Sequence, residues 1–291
     1  MKSIILSAKN YKDPSKNNGD CILVDNSSEL VVYDCGCEEH AQRVLDYMRL
    51  HGYRQAKVVL SHNDSDHFDG IPYLIERGAV SAVYTLLLLK YKDELLERID
   101  DGRLTRDSIA RRIEEVYANI YSLGGSVALK DMFKDTNVTS GIKIFGPDKE
   151  YALDAVAKRI DNRESDNIDK ETIVNAVSAQ LSVVSGGKKL LLTGDSSFAA
   201  IEDAVKTHNA IQLPHHGKLS QAEDIFAAKA RDNSAIYYVS DNTGDSNGGS
   251  DDLCKKYPRG HVIYNTLNGD QEYTFPSFGV TSYTSSYFWR H

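Results

Sequence analysis

The sequence predicts an α/β fold: two mixed sheets packed face to face with helices outside them, plus a helical insertion. Three observations predict it. Short apolar runs bounded by polar turns alternate with segments whose apolar residues fall at helical spacing. That strand and helix order recurs in two similar halves, which suits two sheets sharing one core under outer helices. Between the halves lies a charge-dense stretch, 88–137, with helical periodicity of its own.

Taken in order, residues 3–8, 20–25 and 30–33 read as consecutive strands of a meander, parted by polar turns at 16–19 and 26–28. Residues 39–51 carry Ala41, Val44, Leu45, Tyr47 and Met48 at helical spacing, and Gly52 follows as a C-terminal cap. Residues 57–60 form a buried-type strand, 61–66 a polar loop, and 71–77 a short helix ending at Gly78. From 91 to 123, alternating charge with helical apolar spacing predicts a helical pair, and 151–160 a further helix leading into the charged loop 161–170. Strands resume at 176–184 and 189–193 around the turn Ser185-Gly186-Gly187. Helix 197–207, strand 210–213, helix 221–231 and strand 234–240 follow. The Gly/Asn/Asp/Ser tract 241–252 reads as a loop, and 262–266 with 272–275 as a final strand pair. No internal repeat and no long linker divides the chain, so 1–291 reads as one domain with 88–137 inserted in it.

Composition excludes several classes. Apolar residues make up 41% and charged residues 26%, with only six prolines, which fits a folded globular chain rather than bulk disorder. No stretch approaches the ~18 consecutive apolar residues that cross a bilayer, and the apolar run after Met1 is too short for a signal peptide. These features predict a cytoplasmic protein without membrane contact. Cys21, Cys35, Cys37 and Cys254 show no pairing framework, and Cys35-Gly36-Cys37 is too tight for an unstrained disulfide, so reduced thiols are expected. The net charge of −8 opposes broad, sequence-independent binding to long duplex DNA, which counterion release from phosphates drives.

The chemistry concentrates in Ser61-His62-Asn63-Asp64-Ser65-Asp66-His67-Phe68-Asp69-Gly70, directly after an apolar strand. Two histidines and two aspartates in six residues repel or desolvate one another unless a cation draws them together. Imidazole nitrogen with carboxylate oxygen suits a borderline divalent ion such as zinc or manganese. Alternate residues on an extended loop would point such ligands the same way.

This pattern resembles the metallo-β-lactamase superfamily, whose signature is His-x-His-x-Asp-His after a strand. The aspartate in place of the second histidine is similar to the hydrolase domain of the DNA-uptake channel protein ComEC. Leu190-Leu191-Leu192-Thr193-Gly194-Asp195 and Leu213-Pro214-His215-His216-Gly217-Lys218 resemble later motifs of the same branch, as do Asn175-Ala176-Val177-Ser178 and the segments around Gly19-Asp20 and Tyr33-Asp34. The resemblance implies an αββα sandwich and two divalent ions. His62 and Asp64 would hold the first, Asp66, His67 and His216 the second, and Asp195 would bridge them. No histidine stands between His67 and His208, so the first site is ligand-poor, with Asn175 or Ser178 as candidates to complete it. His215 would be a proton donor or an alternative ligand, and Asp66 would help orient the nucleophile. Asp34 would support the loop from behind, and Lys218 and Ser220 would bind a phosphate. The loop 241–251 lacks the histidine that ComEC-like domains carry there.

The expected function is a metal-dependent hydrolase in which metal-bound hydroxide attacks a phosphodiester of a nucleotide or nucleic acid. Hydrolysis of a lactone, thioester or lactam stands as the second reading. A third is a binding module with a degenerate first site, in which case 88–137 is the candidate interaction surface. Removing one acid from the metal-free aspartates could even raise stability while abolishing function.

Overall fold

The computed structural model describes residues 1–11, 19–99, 102–133, 135–161, 167–232, 234–240, 249, 253–257 and 260–276. Of the predicted turns and loops, 16–18, 162–166, 241–248 and 250–252 lie outside them.

Among the described residues the strands form two seven-stranded sheets and one two-stranded ribbon. The first sheet runs in the order Gln271–Thr274, Lys2–Ile5, Ile22–Asp25, Leu30–Tyr33, Ala56–Val59, Val80–Thr85 and Ala128–Asp131. Its first three pairings are antiparallel and its last three parallel. The second runs Val262–Asn265, Ile236–Val239, Ala210–Gln212, Lys188–Leu192, Gln180–Ser185, Ile142–Gly146 and Asn137–Thr139. Here three parallel pairings are followed by three antiparallel ones. The predicted two-sheet α/β architecture is thus present.

Period-two alternation sorts the second sheet's side chains into two layers. Leu190 and Leu192 join Ile144, Leu181 and Val183 in a core cluster shared with Val24, Val32, Val58 and Val83 of the first sheet. Leu191, Ile211 and Tyr237 point the other way, onto Ile201, Val205, Ile225 and Phe226 of the helices Phe198–Thr207 and Leu219–Ala228. On the first sheet, the helix Glu38–His51 buries Ala41, Val44 and Met48. Its ends are written in sequence: Glu38 and Glu39 complement the N-terminal partial charge, and Gly52, at φ 77°, closes the C-terminus in a left-handed cap.

Two predictions need correction. The strands 262–265 and 271–274 do not pair with each other: the former closes the second sheet and the latter the first. The turn Thr266–Asn268 and Gly269 carry the chain across, a change of partner that local alternation cannot encode. The stretch 88–137 is helical only in part. Its helices Lys92–Arg98 and Arg106–Ser122 send Leu95, Ile109, Ile113 and Ile120 into the shared core, and Ala128–Asp131 and Asn137–Thr139 are edge strands, one in each sheet.

The second sheet buries one isolated imidazole. His208 follows the helix Phe198–Thr207, donates through Nδ1 to the Ala204 carbonyl at 2.6 Å, and accepts the Ser182 hydroxyl at Nε2, 2.8 Å away. Burial pushes its pKa down to about 4. The unfolded chain therefore binds this proton at a higher pH than the folded one, and stability falls as pH drops from about 6.5 to about 4. Urea unfolding at pH 7 and pH 4 is expected to show a loss of about 3 kcal/mol from this group. The His208→Gln variant should lack that component; an identical pH slope in both proteins would refute the assignment.

Candidate metal centre

Side chains from both sheets meet where parallel strands end, the edge at which α/β sheets place their ligands. The first sheet contributes Asp34 after Leu30–Tyr33, and the run from Ser61 to His67 after Ala56–Val59. The second contributes Asp195 after Lys188–Leu192, and His215 and His216 after Ala210–Gln212. Only the first part of this histidine- and aspartate-rich run is extended. Ser65–Phe68 is a helical turn, so Asp66 and His67 are presented from a turn instead of by the predicted alternation.

Four imidazoles surround the Asp195 carboxylate in one repeated arrangement. His67 Nε2 lies 3.4 Å from Oδ1, while His62, His215 and His216 bring Nε2 to 3.8, 3.7 and 3.9 Å from Oδ2. In each ring the opposite nitrogen, Nδ1, is tied to an oxygen. His67 donates to Asp34 Oδ2 at 2.8 Å, His216 to Asp20 Oδ1 at 3.2 Å and His215 to Glu171 Oε2 at 2.7 Å. His62 sits 3.0 Å from the Ser61 hydroxyl, which itself donates to Asp34. An oxygen acceptor behind Nδ1 fixes the tautomer that leaves the Nε2 lone pair aimed inward, as metal-binding histidines require.

The carboxylates divide around the same centre. Asp64 Oδ2 lies 3.5 Å from His62 Nε2. Asp66 Oδ2 lies 3.0 Å from His216 Nε2 and 3.6 Å from His67 Nε2. His62, His67 and Asp195 offer ligand atoms within 4.8 Å of one another, as do Asp20, His67 and His216. In the second group Asp20 is already engaged, since its oxygens also accept from Gln212 and Ser240. Its place is behind His216.

The fit to a cation shows in what these atoms lack. His62 Nε2, His67 Nε2 and Asp195 Oδ1 are buried without a hydrogen-bond partner. Each such atom costs about 1–3 kcal/mol, and three of them converging on one point is the pattern a divalent ion relieves. Electrostatics agrees. Burial pushes the His67 and His216 imidazoles down, but Asp195 with Asp66 and Asp34, or with Asp20, outweighs it and holds both well above the ordinary histidine value. Burial likewise opposes ionisation of Asp66, and His67 and His216 overcome it, so its pKa is lowered. The neighbouring imidazoles thus favour its charged form against burial and against repulsion from Asp195.

Two glycines make these approaches possible. A Cβ on Gly19, at φ 53°, would stand 1.6 Å from the Asp66 carbonyl oxygen, and one on Gly194, at φ 52°, 2.7 Å from Ser61 Cβ. Each precedes a buried aspartate, Asp20 or Asp195. Farther on, His215 and His216 both adopt left-handed backbone, at φ 51° and 54°, with Gly217 at 80°. Two non-glycine residues in that region cost about 1–3 kcal/mol each, and such strain gathers at sites.

Other predicted residues fall differently. Ser178 Oγ lies 3.3 Å from His62 Nδ1 and accepts the Asp195 N–H, behind the ring rather than beside its metal-facing nitrogen. Asn175 is bonded to Thr172. Lys218 donates to Glu171 Oε2 and to the Lys170 carbonyl, both at 2.9 Å, so it neutralises Glu171 instead of offering a free phosphate site. Ser220 is half-buried in the first turn of Leu219–Ala228. Sequence reasoning missed Glu171, an isolated acid in a charged stretch with no motif around it, and assigned no role to Asp20, though Gly19-Asp20 was visible as a unit.

A sequence profile of the metallo-β-lactamase superfamily matches residues 15–137. A hydroxyacylglutathione hydrolase of Pseudoalteromonas translucida (strain TAC 125) is 28% identical over 99 residues, which span 34% of this chain and 37% of that protein. The match thus covers little more than a third of this curated relative. The structure is similar to Tm1679, a metal-dependent hydrolase of the β-lactamase superfamily, with TM-score 0.55 and 15% identity over 95% of this chain and all of that one. It is also similar to a diphosphatase from the PhnP family, with TM-score 0.52 and 10% identity over 95% and 98% of the two chains. At these identities the likeness is one of fold.

Asp34 provides a test of the centre. Its backbone is left-handed, at φ 57°, a conformation asparagine tolerates. Asp34→Asn removes the charge behind His67 and Ser61, and is expected to weaken zinc or manganese binding about 10–100-fold in competition with a chelator. Unchanged affinity would show that Asp34 serves the loop alone.

Proposed function

We propose that this chain is a member of the metallo-β-lactamase superfamily, whose profile matches residues 15–137, and that it is a metal-dependent phosphodiesterase or nuclease acting on a nucleotide or nucleic acid. The observation that carries the hydrolytic reading is the inward-facing set of imidazoles around Asp195, with partnerless buried atoms at its centre. His62 and Asp64 would hold one divalent ion, Asp66, His67 and His216 a second, and Asp195 would lie between them. Such ions lower the pKa of water from about 15.7 toward about 7 and so supply hydroxide at neutral pH.

The protein's own groups account for the rest. Asp66 and Asp195 orient the attacking oxygen, and no side-chain nucleophile is needed. His215 has the most exposed imidazole of the four, its side chain 15% accessible, and Glu171 fixes the ring so that Nε2 faces the centre. With Nδ1–H held by Glu171, Nε2 is the nitrogen placed to take up a proton and pass it to the leaving oxygen.

Phosphodiesters are favoured over acyl substrates because Asp64, Asp66 and Asp195 make the donor set oxygen-rich, which suits harder ions such as manganese and phosphate oxygens. Asp64 occupies the position of a histidine in the superfamily signature, the feature shared with the ComEC-like branch. The fold similarity to a diphosphatase is in keeping with this choice. The net charge of −8 favours small or single-stranded substrates. Thioester hydrolysis is the second reading, supported by the partial match to a hydroxyacylglutathione hydrolase.

The decisive assay compares manganese- and zinc-loaded protein on bis-p-nitrophenyl phosphate, a thioester, a lactone and a lactam. Phosphodiester cleavage is expected to have the highest kcat/KM, and Asp66→Ala to lose metal and activity together; faster thioester cleavage would sink the proposal. His215→Asn should keep its metal and lose about 10²–10⁴-fold in kcat on a nucleoside leaving group, with a smaller loss on p-nitrophenolate, which needs no proton. Loss of metal instead would make His215 a ligand.

A further inference from the structure

The helix Arg106–Ser122 breaks at Tyr117, whose φ of −116° and ψ of 24° leave the helical region. Beside the break lies a cavity of about 270 Å³, bounded by this helix and Lys149–Asp161. Ile113, Val116 and Val156 form its apolar wall, and Arg112, Arg159 and Tyr117 supply its donors. The Tyr117 hydroxyl is buried and has no hydrogen-bond partner. Among the described residues, the half-buried Arg159 makes no hydrogen bond or ion pair, and Arg112 spends one N–H on the Ile160 carbonyl. The exposed Glu115 is the one carboxylate among the lining residues.

The half-buried guanidinium groups of Arg112 and Arg159 make no ion pair among the described residues, and their planar forks match phosphate oxygens. The buried Tyr117 phenol, with nothing to bond, adds a further donor. The cavity also adjoins the metal-ligand loop. Asn63, between His62 and Asp64, donates to the Val116 carbonyl at 2.8 Å and to Asn119 at 3.1 Å, and Asn119 returns a bond to the Asn63 carbonyl at 2.9 Å. This clasp holds residues on either side of Tyr117 against the loop.

We propose that the cavity is an anion subsite for a phosphate flanking the scissile one, with Arg112 and Arg159 gripping its oxygens and the Tyr117 hydroxyl donating to it. The assignment of that anion to the substrate rests on the phosphodiesterase reading. It makes the charged helix a specificity element rather than a solvated face.

Calorimetric titration of the full chain in chelator, where turnover is blocked, tests the subsite directly. The probes are a dinucleotide carrying a terminal phosphate, at the 5′ or the 3′ end, and the same dinucleotide without it. At least one phosphorylated form should bind tenfold or more tightly than the plain one, and Arg112→Gln/Arg159→Gln should abolish that preference. Tyr117→Phe should weaken the phosphorylated probe several-fold while keeping or raising Tm, because it deletes an unpaired buried hydroxyl. Equal affinities in the wild type, or a preference that survives both variants, would overturn the proposal. If the preference is present but metal-loaded protein cleaves no phosphodiester, the subsite stands and the reaction falls. Cleavage without the preference gives the reverse.

Discussion

The structure depends on the attraction between the buried Asp195 carboxylate and the four imidazoles around it. His62 and His67 come from the first sheet, His215 and His216 from the second, so this interaction spans the seam between them. Burying Asp20, Asp34, Asp66 and Asp195 together would be prohibitive without compensating positive charge. In the protein alone, His67 and His216, which the surrounding carboxylates hold well above the ordinary histidine value, supply positive charge. With divalent ions bound, the ions do, and the imidazoles give up their protons.

Behind the centre runs a layer of oxygens whose shared task is to hold rings in place. Asp34 serves His67 directly and His62 through Ser61; Asp20 serves His216 and Glu171 serves His215. Each supporting acid has further donors of its own: Gln212 and Ser240 for Asp20, Lys218 and Gln221 for Glu171. The dipeptides Gly19-Asp20 and Gly194-Asp195 repeat one device, a left-handed glycine that lets the chain press close before a buried acid is delivered.

Much of this was legible in the sequence because it is local. Two histidines and two aspartates within six residues mark a candidate cation site whatever the fold, and helical periodicity with Gly52 at the end marks the helix Glu38–His51. What stayed hidden was set by distant partners. The strand Val262–Asn265 reads the same whether it pairs with Gln271–Thr274 or with Ile236–Val239. Lys218 looks like a phosphate ligand until Glu171, an acid without a motif, is found beneath it. Arg112 and Arg159 lie in charge-rich helices where periodicity marks a solvated surface, and only the packing of two helices turns them toward a cavity.

The crossing of the chain between sheets at Thr266–Asn268 has a consequence for biogenesis. The strand Lys2–Ile5 is made early, yet one of its two neighbours is Gln271–Thr274, with Lys2 opposite Thr274. A nascent chain released from the ribosome at about 5–20 residues per second exposes that unpaired edge until Gln271–Thr274 has emerged. Sequence separation of this size slows closure through loop entropy, and an open edge invites pairing with other chains. The edge of Lys2–Ile5 that Gln271–Thr274 finally covers is therefore in need of protection during synthesis.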